Sequence, residues 1–142
     1  MSDKTINQLI EALAQGAPDV ERLQSTLATA FKQSNENPYW TYYEFDLQNS
    51  PFVHGEYRRG KTGNKALLSL MPVVDTLVNE NDLALERWGE VQNFRINPRI
   101  PPEGTDTFIY RIDNAQVSFQ LTHTSRRLRS IVLEWGVTQS ES

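Results

Sequence analysis

Residues 116–122 read QVSFQLT and residues 127–135 read RLRSIVLEW, and these two stretches decide the fold. Apolar and polar residues alternate along them. Because successive side chains of a β-strand point to opposite faces, this alternation predicts strands with one buried face. The spacing predicts strands over about 116–124 and 127–135, joined by a tight turn. We expect their shared buried face, packed against helices, to contain Val117, Phe119, Leu121, Ile131, Leu133 and Trp135.

The length and composition indicate one domain without covalent or metal cross-links. A chain of 142 residues can bury a sizeable single core. We expect that domain over residues 1–137 and a polar tail over 138–142. The sequence has no cysteine, which excludes a disulfide framework and a cysteine-based zinc site. No motif indicates a metal or another cofactor, so none is predicted.

The charge balance and the N-terminus predict the compartment and exclude some partners. Fourteen basic and eighteen acidic residues give a net charge of −4, which opposes nonspecific binding to nucleic acid and to anionic membranes. The first residues mix charged and apolar positions, unlike the unbroken apolar segment of a secretory signal. No apolar stretch is long enough to cross a bilayer. We therefore expect a soluble, cytoplasmic protein.

Two amphipathic helices are predicted before the first strand. Gly16 suits the left-handed position that follows a helix, and Pro18 is tolerated in the first turn of the next one. The second helix is predicted to end at Asn37-Pro38, since proline cannot continue it. Apolar residues at helical spacing mark both helices: Ile6, Leu9, Ile10 and Leu13, then Val20, Leu23, Leu27, Ala30 and Phe31.

The remaining chain predicts a hairpin, a third helix and a meander. Aromatic and β-branched residues over 39–47 and 52–58 are typical of two strands joined by a turn. Residues 64–88 suit a buried helix as well as a buried strand, and their length favours a helix. Further strands are predicted at about 91–97, 105–113, 116–124 and 127–135. The fold class is therefore α+β: two N-terminal helices, a hairpin, a third helix, then a curved antiparallel sheet of about five to six strands.

One formal motif does not indicate the function it usually marks. Residues 55–62 read GEYRRGKT, which matches the pattern of a phosphate-binding loop. Such a loop connects a strand of a parallel sheet to a helix. Here the neighbouring strands are predicted to be antiparallel, and Gly63 and Pro72 interrupt the helix that should follow. We interpret the segment as a charged strand end and a turn.

The two histidines are the candidates for acid–base chemistry. His123 falls on the same strand face as Phe119 and Leu121, and imidazole titrates near neutral pH. A histidine that faces a carboxylate is the minimum arrangement for proton transfer. The candidate partners are Asp46, Glu44 and Asp113, and either His123 or His54 would be the base or acid. The sequence does not determine which of them meet.

Aromatic residues mark the candidate ligand-binding surface. Tyr39, Trp40, Tyr42 and Tyr43 lie within five residues, on both faces of one predicted strand. One face can enter the core, and the other needs cover from a helix, a ligand or a partner, since large exposed aromatic patches are unusual. Trp88 and Trp135 are candidate further walls of the same site.

The predicted order of elements resembles the cone-shaped α+β superfamily of nuclear transport factor 2-like and ketosteroid-isomerase-like proteins. The likeness covers about residues 60–135 and includes Trp88-Gly89-Glu90-Val91 and the closing hairpin from Thr122 to Leu133. It implies a cone-like, strongly bent sheet that encloses a pocket, and homodimerisation through that sheet. Catalytic members use acid or base residues inside the pocket, but no family motif aligns with particular residues of this chain.

Three functional hypotheses remain open. The first is a noncatalytic domain that binds a small apolar ligand or a partner protein as a homodimer, and the aromatic-rich strand motivates it. The second is a cofactor-free pocket enzyme that uses His123 or His54 with Asp46 or Asp113. The third is an acidic adaptor or chaperone-like protein that engages a basic partner. Salt-sensitive binding separates the third hypothesis from apolar pocket binding.

Overall fold

The structure is a computed structural model that describes residues 3–15, 18–48, 52–61, 65–72, 93–97, 104–112, 115–123 and 127–136. Within these ranges the chain forms two helices and eight strands. The helices are α1 (Asp3–Ala14) and α2 (Val20–Leu27). The strands are β1 (Lys32–Glu36), β2 (Trp40–Asp46), β3 (Phe52–Gly60), β4 (Ala66–Pro72), β5 (Asn93–Asn97), β6 (Thr105–Ile112), β7 (Ala115–Thr122) and β8 (Leu128–Trp135).

All eight strands belong to one sheet with the order β1-β2-β3-β4-β8-β7-β6-β5. Every neighbouring pair is antiparallel. The sheet therefore consists of two meanders of four consecutive strands, and β4 joins β8 in the middle. The pairing of β4 with β8 aligns Leu68 with Leu133 and Leu70 with Ile131, so both meanders contribute to the same apolar face.

The core lies between this apolar face and the two helices. Ile10 and Leu13 of α1 and Leu23 of α2 are fully buried in the same cluster as the strand residues. The expectation for the closing hairpin is confirmed: all six predicted core residues of β7 and β8 are at most 3% exposed. They form adjacent rows, because Val117 pairs with Leu133 and Phe119 with Ile131. Burial of such side chains contributes roughly 1.5–3 kcal/mol each to folding.

The predicted α+β architecture with three helices is wrong, since the described chain is mostly sheet. Residues 66–72 form β4 instead of a helix, because β3 and β8 bind both of its edges. Its side chains alternate accordingly, with Ala66, Leu68 and Leu70 buried and Leu67 and Ser69 half-buried. A short apolar run does not separate strand from helix, and the tertiary pairing decides. Residues 73–88 of the predicted helix lie outside the described residues. The sheet also exceeds the five to six strands expected.

The second helix is shorter than the sequence predicts. Asp19 caps its start by accepting a hydrogen bond from the Arg22 backbone N–H at 2.9 Å. Ala28 ends it in a left-handed conformation with φ of 55°. Residues 32–36 then pair with β2 as an edge strand, so the predicted extension of the helix to Asn37 is wrong. This segment is polar and exposed, and it lacks the apolar period that would keep a helix against the core.

The first six residues of the pattern that matches a phosphate-binding loop lie inside the sheet. Its residues from Gly55 to Gly60 are part of β3, which pairs with β2 on one side and β4 on the other. Lys61 then forms an ion pair with Glu36 of β1 at 2.8 Å. A hydrogen bond from this ammonium, together with its charge, lowers the pKa of the Glu36 carboxyl. Residues 55–60 therefore form the predicted strand end, and Thr62 and Gly63 of the predicted turn lie outside the described residues.

Gly55 of β3 lies directly against an aromatic ring of the neighbouring strand β2. It pairs with Phe45, whose ring lies against the glycine and stacks on Phe31 with ring centroids 4.3 Å apart. A Cβ atom at this position would lie 2.9 Å from the backbone oxygen of Ser69 and closer still to the Phe45 ring. The close approach of the ring therefore requires glycine.

We predict that Gly55→Ala destabilises the protein by about 1–3 kcal/mol, because the methyl group overpacks the contact with Phe45. Urea denaturation measures the loss. In a Phe45→Leu background, which removes the outer ring atoms, the same Gly55→Ala change should cost less. An equal cost in both backgrounds would mean that the ring is not the obstacle.

Candidate functional site

The candidate site is the face of the sheet opposite the helices, over strands β2, β3, β4 and β8, which we call the open face. Strand register aligns its side chains in rows. One row runs from Tyr42 through Arg58 and Leu67 to Glu134. The next runs from Glu44 through Glu56 and Ser69 to Val132. Aromatic, charged and aliphatic side chains thus come together from the consecutive strands β2, β3 and β4 and from β8, which lies far away in the sequence.

Two cavities lined by described residues lie on this face. The larger, which we call the groove, has a volume of about 550 Å³. The smaller, the end pocket, has a volume of about 270 Å³ and shares Arg58 and Leu67 with the groove. The groove is lined by Ser34, Asn35, Asn37, Tyr42, Tyr43, Glu44, Glu56, Tyr57, Arg58, Leu67, Ser69 and Val132.

Arg58 is the central side chain of the two cavities. Its guanidinium carbon lies 4.7 Å from the centre of the Trp40 ring, within the range of a cation–π contact. Its Nε is buried and has no hydrogen-bond partner. The contact with Trp40 therefore holds the guanidinium beside both cavities.

Glu44 and Glu56 put two like charges side by side in the groove. They are direct cross-strand partners, and both are exposed. Lys32 is aligned with Glu44 from β1, but among the described residues neither glutamate has an ion pair. Like charges directly opposite each other on a sheet are destabilising. The pair therefore favours a cation from outside the chain.

Tyr57 anchors the floor of the groove to the helical side of the molecule. Its hydroxyl donates a hydrogen bond to the backbone oxygen of Pro18, which also accepts from Arg59 Nη1 at 2.8 Å. Pro18 lies in the connection between α1 and α2, so β3 is tied to both helices. Burial raises the pKa of the Tyr57 phenol, and the hydrogen bond with Arg59 opposes that rise.

The histidines meet carboxylates in two separate pairs. His54 Nδ1 lies 3.0 Å from Asp46 Oδ1, and the Asp46 side chain is 88% exposed. His123 Nδ1 lies 2.9 Å from Asp106 Oδ1, and the Asp106 side chain is 6% exposed. Asp113, the predicted partner, lies outside the described residues. Neither histidine lines the groove or the end pocket.

The Asp106 partner was missed because a non-local strand pairing creates the contact. Asp106 lies on the buried face of β6 and is aligned with Leu121 of β7, and His123 follows Leu121 by two residues, just after β7 ends. One signal was present in the sequence. Asp106 alternates with Phe108, Tyr110 and Ile112 on an otherwise apolar face, and a carboxylate at such a position needs a buried partner.

The aromatic candidates divide between the two faces of β2, as the alternation predicted. Trp40 and Tyr42 lie on the open face, where Trp40 lines the end pocket and Tyr42 the groove. Tyr43 contacts Tyr57, with ring centroids 5.7 Å apart, and packs against the core. Trp135 lies at the end of β8 and lines the end pocket. Trp88 lies outside the described residues.

Sequence reasoning missed the cavity-lining residues that strand pairing places beside the aromatic side chains. They are Glu56 and Arg58 on β3, Leu67 and Ser69 on β4, and Val132 and Glu134 on β8. Glu134 points away from its buried neighbours Leu133 and Trp135. Nothing in the local sequence connects it with Arg58.

Comparisons of the chain with protein-family models, with curated proteins and with solved structures give no match. The resemblance to the cone-shaped superfamily therefore stays a prediction. Over the described residues, no three His, Cys, Asp or Glu side chains are grouped to hold a metal ion. The described helices are also too short or too polar to cross a membrane.

We predict that Glu56→Gln stabilises the free protein by about 0.2–1 kcal/mol at low ionic strength, because it removes the repulsion from Glu44. Urea denaturation at about 0.02 M and about 1 M salt tests this, since salt should remove most of the gain. Glu21→Gln removes the same charge from the first turn of α2, where a carboxylate is favourable, so this contrast variant should not gain stability. A loss of stability in Glu56→Gln would contradict the repulsion.

We predict that the stability difference between the wild type and Tyr57→Phe shrinks above pH 10. Below that pH the phenol is protonated in both states, and its hydrogen bond to Pro18 stabilises the wild type by about 1 kcal/mol. Because the pKa of Tyr57 is raised in the folded protein, its phenol ionises at lower pH in the unfolded chain. The stability that the Tyr57 phenol contributes is therefore lost as the pH rises through its pKa in the folded protein. Urea denaturation at about pH 8 and about pH 11 measures the difference. Tyr39→Phe controls for removing an exposed phenol, and a difference that grows with pH would contradict the prediction.

Proposed function

We propose that this protein is a noncatalytic binding module that takes up a basic peptide segment of a partner protein in the groove of its open face. The observation that carries the proposal is the exposed pair of Glu44 and Glu56, which has no ion pair among the described residues and lies between aromatic and aliphatic walls. A lysine or arginine side chain of the partner would relieve the repulsion between the two carboxylates.

The size and lining of the groove support a peptide. Its volume of about 550 Å³ falls in the usual range for ligand sites, roughly 300–1,000 Å³. Tyr42, Leu67 and Val132 offer apolar contact area, while Asn35 and Ser69 offer hydrogen-bonding groups. A peptide segment supplies all three kinds of complementary group: a cation, apolar side chains and backbone amides.

A small apolar ligand fits the same groove less well. Such a ligand would remove Glu44, Glu56 and Arg58 from water without offering them a hydrogen bond or an opposite charge. Desolvating unpaired charged groups is costly, and that cost opposes binding. The polar lining therefore favours the partner-protein version of the binding hypothesis and agrees with the acidic-adaptor alternative.

The acid–base alternative has less support at this site. Both histidine–carboxylate pairs lie outside the lining of the groove and of the end pocket. Asp106 could orient His123, but a substrate would still need a cavity next to the imidazole. His123→Ala is accordingly a control that should leave peptide binding unchanged.

We predict that peptides selected on this protein from a random display library are enriched in lysine or arginine next to an aromatic or aliphatic residue. The affinity of one selected peptide is then measured by fluorescence anisotropy. Glu44→Gln and Glu56→Gln should each weaken it by about 1.5- to 5-fold, as expected for exposed ion pairs of 0.2–1 kcal/mol. The affinity should also fall as salt is raised.

The control for this experiment is Glu21→Gln, which changes the net charge equally on the helical side of the molecule and should bind like the wild type. Backbone amide shifts on peptide addition should concentrate in β2, β3 and β8. Equal affinity in all three variants, or shifts concentrated on α1 and α2, would reject the proposal. Homodimerisation stays a separate prediction, and light scattering of the purified protein tests it.

A further inference from the structure

The end pocket lies where one edge of the sheet brings four strand ends together. Strands β2 and β4 begin there, and the antiparallel strands β3 and β8 end there. The pocket continues the groove, because Arg58 and Leu67 line both cavities. Its complete lining is Trp40, Arg58, Lys65, Ala66, Leu67, Glu134 and Trp135.

Strand pairing brings the two cations of this lining to the same face of the sheet. Arg58 is the direct partner of Leu67, and Lys65 precedes Leu67 by two residues, so both lie on the open face. The Gly60 backbone N–H donates to the Lys65 backbone oxygen at 2.8 Å, which makes Lys65 and Arg58 diagonal neighbours across β3 and β4. Diagonal neighbours are roughly 7–8 Å apart, within reach of long side chains. One ligand can therefore contact both cations.

No carboxylate of the described chain neutralises either cation. Lys65 is exposed and forms no ion pair with the described residues, and the contact given for the Arg58 guanidinium is the one with the Trp40 ring. Of the Arg58 nitrogens, Nε is the one that is buried without a partner, so Nη1 and Nη2 are the donors that a ligand can reach. Trp40 thus holds a guanidinium whose terminal N–H groups are accessible.

The charge of the lining selects the class of ligand. Arg58 and Lys65 supply two cations and Glu134 supplies one carboxylate, which leaves one positive charge in excess. A singly charged anion balances that excess, whereas a phosphate dianion exceeds it and is repelled more strongly by Glu134. Among the groups of a peptide, the carboxylate is the singly charged anion, and the guanidinium fork matches its two oxygens.

We infer that the end pocket binds a carboxylate of the partner segment, either an aspartate or glutamate side chain or the terminal carboxyl group. The Nη1–H and Nη2–H groups of Arg58 donate hydrogen bonds to its oxygens, and the Lys65 ammonium pairs with its charge. This inference deepens the proposed function and rests on it, because the same segment would place its basic residue beside Glu44 and Glu56.

Strand geometry also sets the spacing between the two charged groups of the partner segment. Arg58 follows Glu56 by two residues on β3, and Lys65 lies beside Gly60, two residues further along. At about 3.4 Å per residue, the anion site is about 7–14 Å from the glutamate pair along the strand. An extended peptide covers that distance in about two to four residues. The selected peptides should therefore carry an acidic residue at that spacing from the basic one.

The first test uses small anions and is independent of any peptide. The full chain labelled with ¹⁵N is titrated with sodium acetate in place of sodium chloride, so that the ionic strength stays constant, and separately with sodium phosphate of matched ionic strength. The backbone amide signals of Arg58 and of residues 65–67 should shift saturably with acetate, and phosphate should bind more weakly. Tighter binding of phosphate, or no saturable shift with acetate, would overturn the inference.

Three variants should change acetate binding in opposite directions. Lys65→Gln should weaken it about 1.5- to 5-fold, as for an exposed ion pair. Arg58→Gln should weaken it about three- to tenfold, as for one hydrogen bond. Glu134→Gln should instead tighten it about 1.5- to 5-fold, because the repulsion of the anion is removed.

Two matched controls change the net charge equally at exposed positions outside both cavities. Arg127→Gln is the control for the lost cations and Glu21→Gln for the lost carboxylate, and both should bind acetate like the wild type. An effect of Lys65→Gln no larger than that of Arg127→Gln would reject the site. Lys65 is exposed, so this comparison decides the question even if Arg58→Gln fails to fold.

The selected peptides then identify the source of the carboxylate and separate this inference from the proposed function. A side chain is the source if replacing the acidic residue by its amide weakens binding to the wild type but not to Lys65→Gln. The terminal carboxyl group is the source if amidation of the C-terminus has that effect. A peptide that depends on Glu44 and Glu56 but responds to neither change overturns this inference alone. Acetate binding without any selected basic peptide rejects the proposed function, and the anion site stands.

Discussion

Strands β4 and β8 hydrogen-bond to each other in the middle of the sheet, and most of the structure depends on this pairing. Each of them closes a meander whose other pairings join strands close in sequence. Among the described strands, β4 with β8 is the pair that joins the two meanders. Apart, each meander would expose an apolar edge strand, which is a site for aggregation. Together, they align Leu68 with Leu133 and cover one continuous core with α1 and α2.

The same pairing builds the face on the other side of the sheet. It puts Val132 next to Ser69 and Glu134 next to Leu67, so both cavities draw residues from the two meanders. A strand alternates its side chains between faces, and one register therefore determines the core and the open face at once. The hydrogen bonds from Tyr57 and Arg59 to Pro18 add rigidity, because they tie β3 to the helix connection.

Features that oppose stability are concentrated on the open face and at its end. The cross-strand glutamates repel each other, and the buried Nε of Arg58 has no hydrogen-bond partner. On the helical face the corresponding positions are filled by packed apolar side chains. Departures from local consistency of this kind are expected at functional sites, where a ligand supplies what the fold leaves unpaired. The repulsion between the glutamates is the physical basis for the proposal that this surface binds a partner.

The sequence by itself determined the local periods. Alternation along residues 39–47, 105–113 and 116–135 was enough to locate β2, β6, β7 and β8. It also placed Trp40 and Tyr42 on one face of β2 and Tyr43 on the other, because side-chain direction in a strand follows from the backbone alone. The tertiary structure decided the rest. The polar segment β1 and the ambiguous apolar segment β4 are strands because neighbouring strands hydrogen-bond to their edges. Strand register likewise brings Arg58 to Trp40 and His123 to Asp106. Pairing between distant segments is a property of the folded chain, so no local pattern of residues encodes it.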